Sequence, residues 1–422
     1  MKQALKITGL LAATLLLATP GRGQILGPVG QTVDGLARPV LRGAGLDGTA
    51  EAIIRPARSI ASVQLKSLLR DNAAVLEADD GGFPVVRGTV VALSPNEAAV
   101  GRARAAGFDP VSRETLEGLG VTLVTLRVPE GMPARRALKK LRALDPSGRY
   151  DLDHLYTGAG ASSDKALAPP AAATGGTPRI GLIDSGVAAH PAIDGLIAEQ
   201  SGFAPGGVVA GAHGTAVASL LAGRHGTFNG AAPGQMLLVA DVYGSGPTGG
   251  SARMLTRALA WMAQRHVPVV NISLVGPPNA IVEAAISALM RQGVAIVAAV
   301  GNDGPAGALA FPAAYDGVIA VTGVDRRDKV LTEAGRSKRV DFAAPGADMA
   351  AAAASGGYAR VRGTSYAAPL VAGKLALAAP ALNNPMAAVE TLAAQAQDLG
   401  RQGIDPVYGR GLICGTCRNA MP

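Results

Sequence analysis

From residue 179 onward the chain repeats one unit: a short apolar run, a turn, a helix-periodic segment, and another apolar run. The runs cover residues 180–183, 237–242, 267–272, 294–300 and 318–324, and the helical patterns between them cover 215–222, 252–264 and 281–291. A strand with one wet face alternates apolar and polar residues. Continuous apolar runs are the mark of strands covered on both faces. Strands of that kind separated by helices imply an α/β domain: a mostly parallel sheet with helices on both faces. In open sheets of this type, sites form beyond the carboxyl ends of strands, so polar residues that close an apolar run are the first candidates for chemistry. Asp184 and Asn302 both stand at such ends.

Four motifs occupy this region. Arg179-Ile180-Gly181-Leu182-Ile183-Asp184-Ser185-Gly186-Val187 ends a run on a carboxylate. Gly211-Ala212-His213-Gly214-Thr215 places a histidine at a glycine-flanked helix start, and Val300-Gly301-Asn302-Asp303-Gly304 closes another run. Gly363-Thr364-Ser365-Tyr366-Ala367-Ala368-Pro369 leads directly into the apolar segment 370–377. Thr and Ser before an apolar run are also an ordinary helix cap. The same position gives a serine a first-turn N–H and the positive end of a helix dipole, which suits a nucleophile that forms an oxyanion beside it.

In the order Asp184, His213, Asn302, Ser365, these motifs make residues 179–412 resemble the subtilisin-like serine peptidases. Pro345-Gly346 and Tyr408-Gly409-Arg410-Gly411 extend the resemblance toward the C-terminus. The family implies Ser365 as nucleophile, His213 as general base and then acid, and Asp184 as the carboxylate that fixes the imidazole. Asn302 and the Ser365 backbone N–H are the implied oxyanion donors. Thr248-Gly249-Gly250 resembles the edge that pairs with substrate backbone. Ser273-Leu274-Val275-Gly276 resembles a wall of the pocket for the residue before the scissile bond. Relatives often have glycine where Val275 stands, so the expectation is a narrowed pocket for small or medium apolar residues. Calcium is common in the family, but no compact Asp-rich loop assigns a metal site, and catalysis requires no cofactor. His154, His190, His225 and His266 lack the helix-start setting and read as structural, while Asp194, Asp241 and Asp303 read as turn or capping residues.

Ahead of this domain, residues 83–156 have a different texture. Strand patterns at 85–93 and 121–128, helices at 95–106 and 133–144, and the extended stretch 150–156 suggest a small α+β module of split βαβ type. Its position is similar to the inhibitory propeptides of the family, whose extended tails lie in the cleft and are cut by the enzyme. The partners expected are therefore a polypeptide substrate and the chain's own propeptide. Residues 157–178, rich in Gly, Ala, Ser and Pro, read as a linker that holds the maturation site. Arg135, Arg136, Lys139, Lys140 and Arg142 read as one solvated helix face.

Residues 1–23, with a basic start and an apolar core at 7–18, read as a secretory signal or retained N-terminal anchor, and the expected destination is periplasmic or extracellular. The signal's cleavage site is not fixed. Residues 24–82 carry one amphipathic pattern at 59–70 and no assigned role. No other stretch is long and apolar enough to span a membrane. The net charge of +8 is spread along the chain, and aromatic residues make up only 3%, so the basic stripe with interleaved aromatics of a nucleic-acid binder is missing. The tail 413–422 holds the only two cysteines, Cys414 and Cys417, read as a local disulfide. Two other classes compete: an inert relative that keeps the fold to bind peptides, and a C-x-x-C oxidoreductase, whose activity would survive loss of Ser365.

Overall fold

The computed structural model describes residues 65–158, 168–170, 180–335, 337, 339–378 and 385–421. The proposed signal segment, most of the proposed linker and residues 59–64 of the amphipathic segment lie outside them; residues 65–70 of that segment are helical.

The N-terminal module has β1 (Leu76–Ala78), β2 (Pro84–Leu93), α1 (Glu97–Ala105), β3 (Asp109–Leu116), β4 (Val121–Arg127), α2 (Ala134–Leu144) and β5 (Arg149–His154). The strands form one antiparallel sheet, in which β2 lies between β4 and β5 and β3 pairs with the outer edge of β4. This is the β-α-β-β-α-β order of a split βαβ unit. Strand β3 adds to the pattern expected from sequence: its residues Asp-Pro-Val-Ser-Arg-Glu-Thr-Leu are mostly exposed, as befits an edge. Asn96 caps α1 by accepting from the Ala99 N–H at 2.8 Å. Arg135 and Lys139 reach the exposed Asp80, confirming a solvated face on α2.

The chain then passes through β6 (Thr157–Gly158) to the main sheet. That sheet uses β7 (Ile180–Asp184), β8 (Ile197–Gly202), β11 (Leu237–Asp241), β12 (Val269–Ile272), β14 (Ala295–Ala299), β15 (Ile319–Val324) and β16 (Phe342–Pro345), in the order β16-β15-β14-β12-β7-β11-β8, all parallel. Two short hairpins flank it: β9 (Arg224–His225) with β10 (Phe228–Asn229), and β17 (Ala347–Ala352) with β18 (Tyr358–Arg362). Strand β13 (Leu274–Val275) leaves the sheet just after β12.

Successive strand side chains point to opposite faces, and both faces are dry. Ile183, Val270, Ile272, Ile296 and Ala298 pack against α4 (Ala252–Gln264) and α5 (Ala280–Arg291). Ile180, Leu182, Val269, Val297 and Val321 pack against α3 (Ala212–Ala222), α6 (Thr364–Ala378) and α7 (Pro385–Ala393). The expected α/β layering with helices on both faces is therefore present.

The N-terminal module sits on the first turns of α4 and α5. Asp153 Oδ1 accepts from the Arg253 N–H, and Asp151 Oδ2 from the Ala280 N–H, both at 2.8 Å. Helix first turns have N–H groups without intrahelical acceptors and a positive dipole end, so carboxylates from another module are favourable partners there. Asn279 joins the two bodies: its Oδ1 caps α5 at the Ile281 and Val282 N–H groups, while its Nδ2 donates to Leu152 O at 2.8 Å.

Candidate active site

Asp184 is the last residue of β7 and is fully buried. Its Oδ1 accepts from the Ser185 N–H at 2.7 Å, which fixes the carboxylate plane. His213 lies in the first turn of α3, with Nδ1 at 2.9 Å from both Asp184 oxygens. A carboxylate only accepts, so Nδ1 carries the proton and Nε2 is left as the acceptor. That Nε2 is buried and has no hydrogen-bond partner among the described residues. Thr215 anchors the helix start: its hydroxyl donates to Gly211 O at 2.7 Å and accepts from the Ala188 N–H at 2.9 Å.

Ser365 occupies the first turn of α6 and is fully buried. Its hydroxyl donates to Ser273 O at 3.3 Å. Pro369 stands four residues further into the helix and has no N–H, so the Ser365 carbonyl lacks its regular helical donor. The Ser273 hydroxyl donates to that carbonyl instead, at 3.0 Å, and itself accepts from Asn271 Nδ2 at 2.9 Å. Ser273 thus braces the serine turn.

Asn302 follows β14 and the left-handed Gly301. Its Oδ1 accepts from the Thr364 N–H at 2.9 Å, and the Thr364 hydroxyl donates to Gly301 O at 3.1 Å. Oδ1 is the accepting end of this amide, bonded at the start of α6, and Nδ2 is its donor end. Asp184 and His213 are in direct contact, Asn302 bonds the Thr364 N–H next to Ser365, and the ring of Tyr366 on the other side of Ser365 lies 5.5 Å from that of His213.

The chain itself occupies the adjoining cleft. The Tyr156 N–H donates to Gly250 O at 2.8 Å, and Leu155 bridges Ser251 antiparallel. On the opposite side β6 pairs antiparallel with β13, Thr157 against Val275 and Gly158 against Leu274. An ideal Cβ on Gly158 would sit 3.7 Å from the His213 ring. Thr157 and Gly158, which sequence placed in the linker, are thus strand residues. Gly250 has φ +73° and a Cβ there would meet Tyr156 O, so a side chain at this position would block the backbone pairing. Pairing starts at Gly250: Thr248 and Gly249 belong to the turn before it, where the Gly249 N–H donates to Gly246 O. Val275 points toward Gly301, with Cγ1 3.5 Å from where a Cβ on that glycine would lie.

The model for the subtilase family matches residues 175–411, more than half of the chain. The chain belongs to the subtilase family, a family of serine-type endopeptidases. It is 31% identical to subtilisin Savinase of Lederbergia lenta over 210 residues, which cover 48% of this chain and 77% of that relative. It is likewise 31% identical to an alkaline protease of Shouchella clausii, of which it spans about half (54%). Among solved structures, fervidolysin from Fervidobacterium pennivorans, a keratinolytic enzyme related to subtilisin, aligns with TM-score 0.65 and 20% identity, covering 82% of this chain and 63% of that one. The epidermin leader peptide processing serine protease of Staphylococcus aureus aligns with TM-score 0.59 and 18% identity, covering 78% and 97%. At those identities the two structures bear on the fold alone.

Other subtilase residues fall where their sequence context put them. Asp241 lies opposite Asp184 in the sheet and is buried, which pushes its carboxyl above the usual value against the N–H bonds of Val209, Gly244 and Tyr243. It organises the turn after β11. His154 is packed between Asp79 and Asn279, with Nε2 3.1 Å from Asp79 Oδ2. Among the described residues no group of three or more His, Cys, Asp or Glu could hold a metal, and no helix is long and apolar enough to cross a membrane. Cys414 and Cys417 lie side by side with Cα atoms 5.2 Å apart, within disulfide range. Sequence reasoning missed Asn279 and Tyr243, which act across the module boundary, and named Gly276 only as part of the stretch 273–276, without its contact with Tyr156. Only the Asn-Ala start of a helical pattern at 279–280 signalled one of them, as a cap.

Proposed function

We propose that the chain is an exported serine endopeptidase made as a self-processing precursor, in which residues 155–158 occupy the cleft as the enzyme's first substrate. The observation that carries this reading is the antiparallel seat of Tyr156, Thr157 and Gly158 between Gly250 and Val275, leading to His213. An extended peptide held by two backbone edges is how a peptidase presents a bond to its nucleophile.

The reaction this reading assigns uses the four residues in turn. Ser365 Oγ turns from Ser273 O to His213 Nε2, gives up its proton, and attacks the substrate carbonyl. Asp184 keeps the Nδ1 proton in place and stabilises the imidazolium that forms. Asn302 Nδ2 and the Ser365 N–H bind the oxyanion, and His213 returns the proton to the leaving amine. Water then hydrolyses the acyl-enzyme by the same route in reverse. Every role is held by a side chain or backbone amide, so no cofactor enters. The cut that releases residues up to Gly158 falls at the bonds immediately after it, inside the stretch 157–178. Segment 1–23 directs export to the periplasm or beyond, and there Cys414 and Cys417 form a disulfide. Until it is degraded, the N-terminal module inhibits the enzyme by filling the cleft.

A fluorophosphonate probe tests the assignment. The matured wild type is expected to be labelled at Ser365, and Ser365→Ala to stay unlabelled. Labelling of both equally, or of neither, removes the nucleophile assignment, and the second outcome leaves an inert peptide-binding subtilase.

A further inference from the structure

We propose that this cleft is a tyrosine reader: it selects substrates with a tyrosine two residues before a glycine, and it recognises the phenol hydroxyl as well as the ring. The inference rests on the peptidase reading above and names the substrate class of that site.

Three neighbouring residues of the docked segment are treated differently. Tyr156 is completely buried, Thr157 is exposed, and Gly158 is half-buried beside His213. Alternate side chains of an extended segment therefore enter the protein while the one between them faces water. Of the three, Tyr156 alone is fully enclosed.

The ring of Tyr156 fits because Gly276 has no side chain. A Cβ there would lie 2.6 Å from Cδ1 and 2.9 Å from Cε1 of the ring, distances that no packed pair tolerates. The floor of the pocket is polar. The Tyr156 hydroxyl donates to Pro277 O at 3.0 Å. The Tyr315 hydroxyl accepts from the Asn279 N–H at 2.8 Å and donates to Asn279 O at 3.0 Å, and, after burial, its proximity helps to raise the Tyr156 phenol above its ordinary value. A phenylalanine would fill the same space and leave the buried Pro277 carbonyl without this donor. A site built to bond a hydroxyl rejects the analogue that lacks it, because its own polar groups are left unpaired.

The position at Gly158 restricts substrates by space. An added Cβ would touch the His213 ring and the Tyr243 hydroxyl, each at 3.7 Å, so a methyl fits and a branched side chain does not. The Tyr243 hydroxyl is buried and has no hydrogen-bond partner among the described residues.

The test uses matured full-length enzyme and a peptide with the sequence of residues 152–163, Leu-Asp-His-Leu-Tyr-Thr-Gly-Ala-Gly-Ala-Ser-Ser. Its kcat/KM is compared with those of peptides carrying Phe or Ala for the tyrosine, or Val for the glycine, with products identified by mass. Replacement by Phe is expected to lower kcat/KM about tenfold or more, from the orphaned carbonyl, and replacement by Ala about a hundredfold. The Val peptide is expected to be cut poorly. In the enzyme, Gly276→Ala is expected to bring the tyrosine peptide down to the level of the alanine peptide. Equal cleavage of the Tyr and Phe peptides at the same bond would overturn the inference and leave the peptidase reading intact. So would an uncut peptide series together with fluorophosphonate labelling of Ser365. No cleavage and no labelling would remove the peptidase reading, and this inference with it.

Discussion

The Asp184–His213 contact makes the effect of Asp184→Asn calculable. In the parent, Asp184 Oδ1 accepts from the Ser185 N–H at 2.7 Å, and both carboxylate oxygens lie 2.9 Å from His213 Nδ1. An amide at this position is expected to keep its oxygen on the Ser185 N–H, because an NH2 turned toward that N–H would set donor against donor. Its NH2 then takes the place of Oδ2 and points a donor at Nδ1. His213 responds by moving its proton to Nε2, the atom that must accept from Ser365. The fold is expected to persist, since the replacement is isosteric and keeps the backbone bond, but the resting tautomer is wrong for chemistry. In a Ser-His-Asp enzyme of unrelated fold the same change lowers kcat about 10⁴-fold, which is about 5 kcal/mol of barrier. The assay is kcat on a chromogenic peptide, normalised to correctly folded protein by circular dichroism and thermal melting. A loss of less than tenfold with an unchanged melting curve would refute the tautomer argument.

Three further perturbations follow from the same contacts. Asn302→Ala removes the Nδ2 donor and is expected to lower kcat about 10²–10³-fold with little change in KM, a magnitude established for the equivalent donor of subtilisin; steady-state kinetics decide it, and a change confined to KM would contradict the oxyanion role. Asn279→Ala removes the α5 cap and the bond to Leu152 O, and is expected to destabilise the Ser365→Ala precursor by about 2 kcal/mol in denaturant titration; a shift within error would deny that Asn279 couples the two bodies. Burial alone would raise the Asp79 carboxyl, but bonds from His154, Phe83 N–H and Gly81 N–H outweigh it and hold the group below its ordinary 3.8. A carboxyl depressed in the folded state stabilises above its unfolded pKa, and that contribution is lost as pH falls through the folded value. Asp79→Asn should therefore melt below the parent precursor at pH 6, with the gap closing on acidification below about pH 4; a gap that stays constant would contradict the assignment.

What could be read from sequence and what could not divide along physical lines. Asp184, His213, Asn302 and Ser365 were legible because each closes a buried strand or opens a helix, and those positions leave local signatures. The buried strands β7, β11, β12, β14 and β15 were legible for the same reason. Strand β8, Ile-Ala-Glu-Gln-Ser-Gly, was not, because it lies at the sheet edge and presents polar residues. Strand β17, Ala-Asp-Met-Ala-Ala-Ala, has weak intrinsic preference for a sheet and is held by its partner β18. The role of Ser273 was hidden although its cause stood in plain view: Pro369, four residues after Ser365, leaves a carbonyl that some other donor must satisfy. The cleft contacts of Tyr156 were beyond local reading, because Pro277 lies 121 residues away in the chain.

The most direct test of the precursor account is the intact mass of purified wild type beside Ser365→Ala, each incubated with casein. The account predicts that the wild type loses everything up to the bonds just after Gly158 and digests casein, while the mutant remains whole. Full-length mass for both chains, or the same cut in both, would contradict it.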